Sequence, residues 1–256
     1  MKRLLLGAEL LALCAFGQRI PADALLPDIQ EQIPYHLAIQ NEQQREMLRF
    51  STGHVNLGKG WLQILGGGQV APCTVAGVDY EQCTHATQQV LNASGQVVYE
   101  KLAGAALFHP EHNHWHQSDV ALFEIRKGTL DGPLVGSGKK VTFCLVDLER
   151  IEGIKTTKTR TYYDCNGVLQ GISPGWADLY HHSTEGQELE ITGAEEGEYY
   201  LTHLANPSLN WLESSYKDNF AWVKFRLVRQ GANPSIEILG NSPCVEGQTC
   251  AGTSNR

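Results

Sequence analysis

The sequence predicts an all-β fold, an antiparallel β-sandwich of a single domain with long loops. Three observations carry this expectation. Short runs of branched and aromatic residues recur from the first third of the chain onward. Gly, Asn, Ser and Pro punctuate those runs at turn spacing, and glycine is abundant at 26 residues in 256. No convincing amphipathic helix interrupts them, and a chain of this length can bury one full-sized core.

The segments divide in order as follows. Residues 1–17 read as an export signal: Met1-Lys2-Arg3 is basic, Leu4 to Phe16 is largely apolar, and Ala15 and Gly17 supply the small residues of a cleavage site. The apolar run is too short to span a bilayer, and no later segment qualifies. The expected location is therefore secreted. Pro21 to Ile33 reads as a polar connector. Strands are expected at Met47–Ser51, at Gln88–Leu91 and Val97–Leu102 across the turn Asn92-Ala93-Ser94-Gly95, and at Asp119–Arg126. Further strands are expected at Lys140–Val146, Leu189–Thr192, Tyr199–Ala205 and Ala221–Val228. Residues 18–230 would form the catalytic domain and 231–256 a stapled or loose extension.

The formal charge of −8 and pI near 5.7 argue against nucleic acid as a partner, since no basic tract is present. That balance would tolerate a cationic amine substrate. Cys14 falls in the signal, leaving Cys73, Cys83, Cys144, Cys165, Cys244 and Cys250. An even number in an exported chain reads as disulfides, and the local pairs Cys73–Cys83, Cys144–Cys165 and Cys244–Cys250 need the least chain reorganisation. A Cys-ligated metal is the lesser reading, because no Cys-x-x-Cys occurs.

The most informative stretch is His112-Asn113-His114-Trp115-His116. In an extended strand alternate side chains share a face, so three imidazoles aim at one point. Imidazole ligates Cu, Zn, Ni and Fe, and three on one face leave coordination positions open.

From His112 to about Val228 the chain resembles the catalytic domain of lysyl oxidases. The resemblance rests on the His-x-His-x-His motif with Asp119 shortly after, and on the strand Lys140-Val141-Thr142-Phe143-Cys144-Leu145. Gln170-Gly171-Ile172-Ser173-Pro174-Gly175 and Asp178-Leu179-Tyr180 follow, then Asn206-Pro207-Ser208 and Glu213-Ser214-Ser215-Tyr216-Lys217-Asp218-Asn219. Weaker similarity reaches back to Leu26-Pro27-Asp28-Ile29 and Met47-Leu48-Arg49-Phe50. The resemblance implies a copper amine oxidase whose quinone, lysine tyrosylquinone, forms from residues matching Lys140 and Tyr180. Copper would sit on His112, His114 and His116. Molecular oxygen and a primary amine, which could be peptidyl lysine, would be consumed, with aldehyde, ammonia and hydrogen peroxide released. Asp119 is favoured over Asp178 as the general base.

The resemblance also implies calcium held by Asp28, the Ile29 carbonyl, Glu213, Ser215, Asp218 and Asn219, where hard oxygen ligands suit the ion. Glu111 stands where animal members carry a cysteine, which pushes Cys165 toward Cys144. Trp176 replaces another family cysteine, and the neighbouring His181 and His182 read as exposed loop residues. Rival readings are a copper- or zinc-binding sandwich without a quinone, a structural envelope or matrix protein, and a zinc hydrolase. Lys140 and Tyr180 would be unexplained in each.

Overall fold

Where inward and outward positions alternate along the chain, strands form, and antiparallel pairing lets one face of each sheet stay dry. The computed structural model describes residues 19–135, 139–151, 159–230 and 233–243. The chain enters through β1 (Ala24–Leu25), β2 (Ile29–Glu31) and β3 (Tyr35–Glu42), followed by the long β4 (Arg45–Asn56). Next, β5 (Leu62–Val75) and β6 (Val78–Asn92) make an extended hairpin that continues into β7 (Val97–His109) and β8 (His114–Lys127). The remaining strands are β9 (Lys139–Phe143), β10 (Glu149–Arg150), β11 (Leu169–Ile172), β12 (Trp176–Tyr180) and β13 (Glu188–Glu190). They end with β14 (Gly197–Ala205), β15 (Phe220–Val228) and β16 (Ser235–Asn241), and no helix occurs among the described residues.

Two sheets result. The larger runs β11-β5-β6-β7-β8-β14-β15-β16, with β1 added on β6 and β9 on β8. The smaller runs β10-β12-β4-β13, with β2 and β3 also on β4. Leu48 and Phe50 of β4 meet Phe123 and Ile125 of β8 and Leu201 of β14 in one core. Phe50 and Phe123 make an edge-to-face pair with ring centroids 4.9 Å apart. Each such side chain contributes about 1.5–3 kcal/mol by leaving water.

Strand β8 carries the feature that positions the site. Gln117 pairs with Phe143 of β9, yet the next pair is Ala121 with Val141, so two extra residues bulge out of β8. Asp119 sits in that bulge with φ +52°. On the opposite edge β8 pairs with β7 only up to Gln117, and with β14 only from Ala121 onward. The bulge is thus where β8 exchanges one neighbour for another.

Several expectations shift. The connector of residues 21–33 contributes β1 and β2 and buries Ile29, because its apolar residues pair on β6 and β4 rather than face water. Tyr180 lies at the end of β12, a strand not among those expected. Residues assigned to a tail form β16 at a sheet edge on β15. The disulfides Cys73–Cys83 and Cys144–Cys165 are formed as the local pairs predict. Cys244, Cys250 and the signal segment lie outside the described residues.

Candidate active site

The three histidines converge, though not from one strand. His112 belongs to the turn between β7 and β8, where Asn113 takes φ +55°, while His114 and His116 alternate along β8. The turn folds His112 back over the strand. Its Nδ1 lies 3.5 Å from His116 Nε2, and His114 Nε2 lies 2.9 Å from the same atom. Their ligand atoms all fall within 4.8 Å of one another. Separations of 2.9 and 3.5 Å fit neighbouring ligands about 2 Å from a single metal ion, without choosing between tetragonal and tetrahedral geometry.

The outer contacts fix which nitrogen faces that point. His116 Nδ1 lies 3.2 Å from the Thr142 hydroxyl on β9, which leaves the Nε2 lone pair turned to the other two rings. His112 Nε2 contacts Glu185 Oε2 at 2.9 Å, freeing its Nδ1. Burial, reinforced by His114, His109 and His112, pushes the His116 imidazole down to about 3. The ring is therefore a neutral donor at neutral pH. His109, stacked on His112 at 4.2 Å, closes one side.

A cleft of about 330 Å³ opens over these rings. It is walled by Val75, Val78 and Tyr80 from the β5–β6 hairpin and by Thr142 and Glu185. An adjoining groove of about 440 Å³ carries Asp79, Glu81, Glu111 and Glu185, with no Lys or Arg among its described lining residues. Such a groove concentrates cations.

Tyr180 is buried elsewhere. Its phenol donates to Asp178 Oδ2 at 2.6 Å and also contacts the Cys144 carbonyl, and its ring stacks on Phe143 at 3.8 Å. None of its described contacts is with His112, His114 or His116. Burial pushes Asp178 up to about 7, against the pull of Tyr180 and His54. Asp178, not Asp119, is the carboxylate at the phenol; Asp119 is held in the bulge of β8. Lys140 occupies β9 opposite Leu122, two residues before Thr142, and its side chain lies outside the described residues.

The Cys144–Cys165 bond joins the two regions. The Cys165 carbonyl accepts the Trp115 amide, between His114 and His116, while the Cys144 carbonyl receives the Tyr180 phenol.

The expected calcium residues also come together. Glu213 accepts from the Ile29 amide and from Asn206 and Asn219, each at 2.8 Å. Burial pushes it up to about 7. Gln30 donates to Asp218 Oδ2. Asp28 Oδ1, Asp218 Oδ1 and Asn219 Oδ1 remain buried without hydrogen-bond partners. Ser215 instead turns its hydroxyl to the Lys217 amide. His181 is exposed as expected, His182 is half-buried instead, and their tilted rings lie 4.0 Å apart.

Sequence reasoning missed Glu185, His109 and a buried trio of Glu31, His54 and His203. The last had a signal: His54 and His203 occupy inward positions in the alternations Leu48, Phe50, Thr52, His54 and Leu201, His203, Ala205.

Comparison with known proteins identifies the family. A family model described as Lysyl oxidase matches residues 75–233, from the tip of the β5–β6 hairpin past the end of β15. Lysyl oxidase homolog 3A of Danio rerio is 34% identical over 113 residues, 44% of this chain and 15% of that protein. Lysyl oxidase homolog 2 of Xenopus laevis is 32% identical over 150 residues, 57% of this chain and 19% of its own length. Lysyl oxidase homolog 3 of Homo sapiens is 33% identical over 114 residues, 44% and 14% respectively. The chain thus spans no more than about a fifth of these relatives. The matched span holds all three histidines, Lys140 and Tyr180, and the chain belongs to the lysyl oxidase family.

Proposed function

We propose that this protein is a secreted, copper-dependent amine oxidase that converts primary amines, peptidyl lysine among them, to aldehydes. The observation that carries the reading is the convergence of His112, His114 and His116 beside a cleft that adjoins an acid-lined groove, in a member of this family. Copper would be held by His112 Nδ1, His114 Nε2 and His116 Nε2, with Thr142 and Glu185 orienting two of the rings. Lysine tyrosylquinone made from Lys140 and Tyr180 would supply the electrophile that accepts the amine's electrons, which oxygen then removes as hydrogen peroxide.

The chain's own side chains account for the remaining roles. Asp79, Glu81, Glu111 and Glu185 draw an ammonium ion into the groove. Asp178 lies within hydrogen-bond reach of the phenol and titrates near neutrality, which suits a group that takes and returns a proton. It replaces Asp119 as the proposed base. Calcium is proposed between β2 and the loop of residues 213–219, where the three orphaned oxygens of Asp28, Asp218 and Asn219 match a hard cation.

One observation favours a second reading, a metal-binding sandwich without a quinone. The Tyr180 phenol is already engaged by Asp178 and Cys144, and none of its described contacts is with His112, His114 or His116. Supplying copper and oxygen separates the two. Mass spectrometry should find the Lys140 and Tyr180 peptides covalently joined, and primary amines should yield peroxide. If the peptides stay separate while copper binds, the oxidase reading fails and the second stands.

A further inference from the structure

The β5–β6 hairpin reaches past the sheet in which it starts. β11 pairs with β5 only from Leu62 to Leu65, and β7 pairs with β6 no further out than Cys83. Among the described residues, no other strand pairs with residues 67–82 of this arm. All of them are exposed except Cys73, Val75 and Tyr80, which are half-buried. An arm without a core of its own needs other means to hold its shape. The Cys73–Cys83 bond ties its two strands together. At its root Gly68, Gln69 and Val70 on β5 stand against Thr84 alone, and this bulge bends the hairpin. A Cβ at Gly68 would meet nothing closer than 3.8 Å, so its φ of +97°, rather than crowding, calls for glycine.

The tip of the arm stands at the histidine cleft. Val75, Ala76, Val78 and Tyr80 line that space of about 330 Å³ together with His109, His112, His116 and, from β9, Val141 and Thr142. The Tyr80 and His109 rings meet edge to face with centroids 6.3 Å apart. Asp79 and Glu81 alternate with Val78 and Tyr80 along β6, and they line the acidic groove but not the cleft. Val78 and Tyr80 line both. These two side chains thus occupy the boundary between the carboxylates that gather a cation and the imidazoles that would hold the metal. Val78 keeps 52% of its surface open, apolar area that a molecule entering the cleft can cover.

We propose that Tyr80 and Val78, held at this boundary by the clipped arm, are specificity-determining residues. They admit a slender amine carried on an unbranched chain and turn away one that bears a ring close to its nitrogen. That the admitted molecule is then oxidised rests on the oxidase reading above; selection by shape does not. An ammonium gathered beside Asp79 and Glu81 passes the tip to reach the histidines. An alkyl chain behind it can lie along Val78 and the Tyr80 ring and cover their apolar surface. A ring next to the nitrogen needs the space that Tyr80 fills beside His109. The Cys73–Cys83 bond opposes the rearrangement of the arm that would make room. Apolar walls discriminate by about 10–200-fold for a difference as small as one methylene, so a whole ring is well within their range.

Two readouts test the proposal on the full chain loaded with copper. With oxygen supplied, kcat/KM for n-butylamine should exceed that for cyclohexylmethylamine. Tyr80→Ala should shrink this ratio about 10-fold, Tyr80→Phe should keep it, and Val78→Phe should enlarge it. A native ratio in Tyr80→Ala overturns the proposal. The second readout needs no turnover. Imidazole and 4-phenylimidazole offer copper the same kind of nitrogen and differ by one ring, so their Kd values, read from the visible and paramagnetic resonance spectra of the metal, report the width of the cleft. The native chain should favour imidazole, and Tyr80→Ala should narrow that preference about 10-fold at equal copper content. An equal preference in the two chains overturns the proposal. The double variant Cys73→Ser with Cys83→Ser should narrow both ratios too; native ratios at native copper content overturn the part given to the clip. If that variant fails to fold, Tyr80→Ala and Val78→Ala, which change only side chains of the arm, decide. If the native chain oxidises no amine, the oxidase reading fails and the imidazole pair alone decides the selection.

Discussion

His116 shows at the residue scale how burial prepares a candidate metal ligand. Buried beside three other imidazoles, it stays neutral far below the pH at which an exposed histidine charges. His116→Ala should therefore abolish stoichiometric copper uptake, measured by metal analysis after dialysis, while His109→Ala should retain it; retention by both would remove His116 from the ligand set. Asp178 yields a pH prediction with the opposite sign to an ordinary paired carboxylate. Its folded value, about 7, lies above the unfolded value of about 3.9, so the fold holds a proton that the unfolded chain releases. Its contribution is complete below about pH 4 and is lost as pH rises through 7, at up to about 1.4 kcal/mol per pH unit. Urea midpoints across that window should fall more steeply for the native chain than for Asp178→Asn, and parallel curves would contradict the assignment. The histidine trio was legible because its spacing is local. Glu185 was not, since it reaches His112 across 73 positions of sequence (185 less 112), and neither were Glu31 and His203, which meet only when two sheets close.

Among the elements, strands with a dry face were readable and their ends were not. Every strand expected from alternation lies within or overlaps an observed one, while β3, β5, β10, β11 and β12 escaped notice, as did β1, β2 and β16 in segments read as connector and tail. β5 carries a Gly66-Gly67-Gly68 run, and β11 and β12 are short strands in a motif whose polar residues read as a loop. Their side chains mislead because they answer to neighbouring strands rather than to water. Gln170 bridges the Trp115 carbonyl and the Leu145 amide, and Asp147 accepts from Ser173, Thr161 and Tyr162. Gly171 sits in this tight weave. A Cβ there would approach the Leu62 carbonyl oxygen to 2.1 Å and the Tyr162 ring to 2.8 Å. Gly171→Ala should cost about 1–3 kcal/mol, read from chemical denaturation, with the spectroscopic signature of the fold retained. A variant as stable as the native chain would mean β11 and β5 are less closely joined than described.

For the whole molecule, the sandwich class followed from composition and punctuation, but the division of strands between the sheets did not. Pairings such as β8 with β14, or β4 with β12, join segments far apart in sequence, and alternation alone carries no record of partners. The same closure brings β2 against the loop of residues 213–219. If calcium ties these two segments, chelation should lower the melting temperature by several degrees and calcium should restore it; magnesium, which requires tighter octahedral geometry, should restore it poorly. A melting curve indifferent to calcium would leave the three orphaned oxygens to a water or a proton.

The Cys144–Cys165 bond has a consequence for where this protein can be made. Its two carbonyls serve the histidine strand on one side and the phenol on the other, so the covalent clasp sets the mutual placement of groups that never touch. A chain synthesised in a thiol-rich cytosol would lose that clasp without losing a single ligand. It would present intact histidines and an intact tyrosine, with the loop of Cys165 held to β8 by hydrogen bonds alone. Oxidative folding would then act as a licence, granted by the compartment, that precedes any encounter with metal.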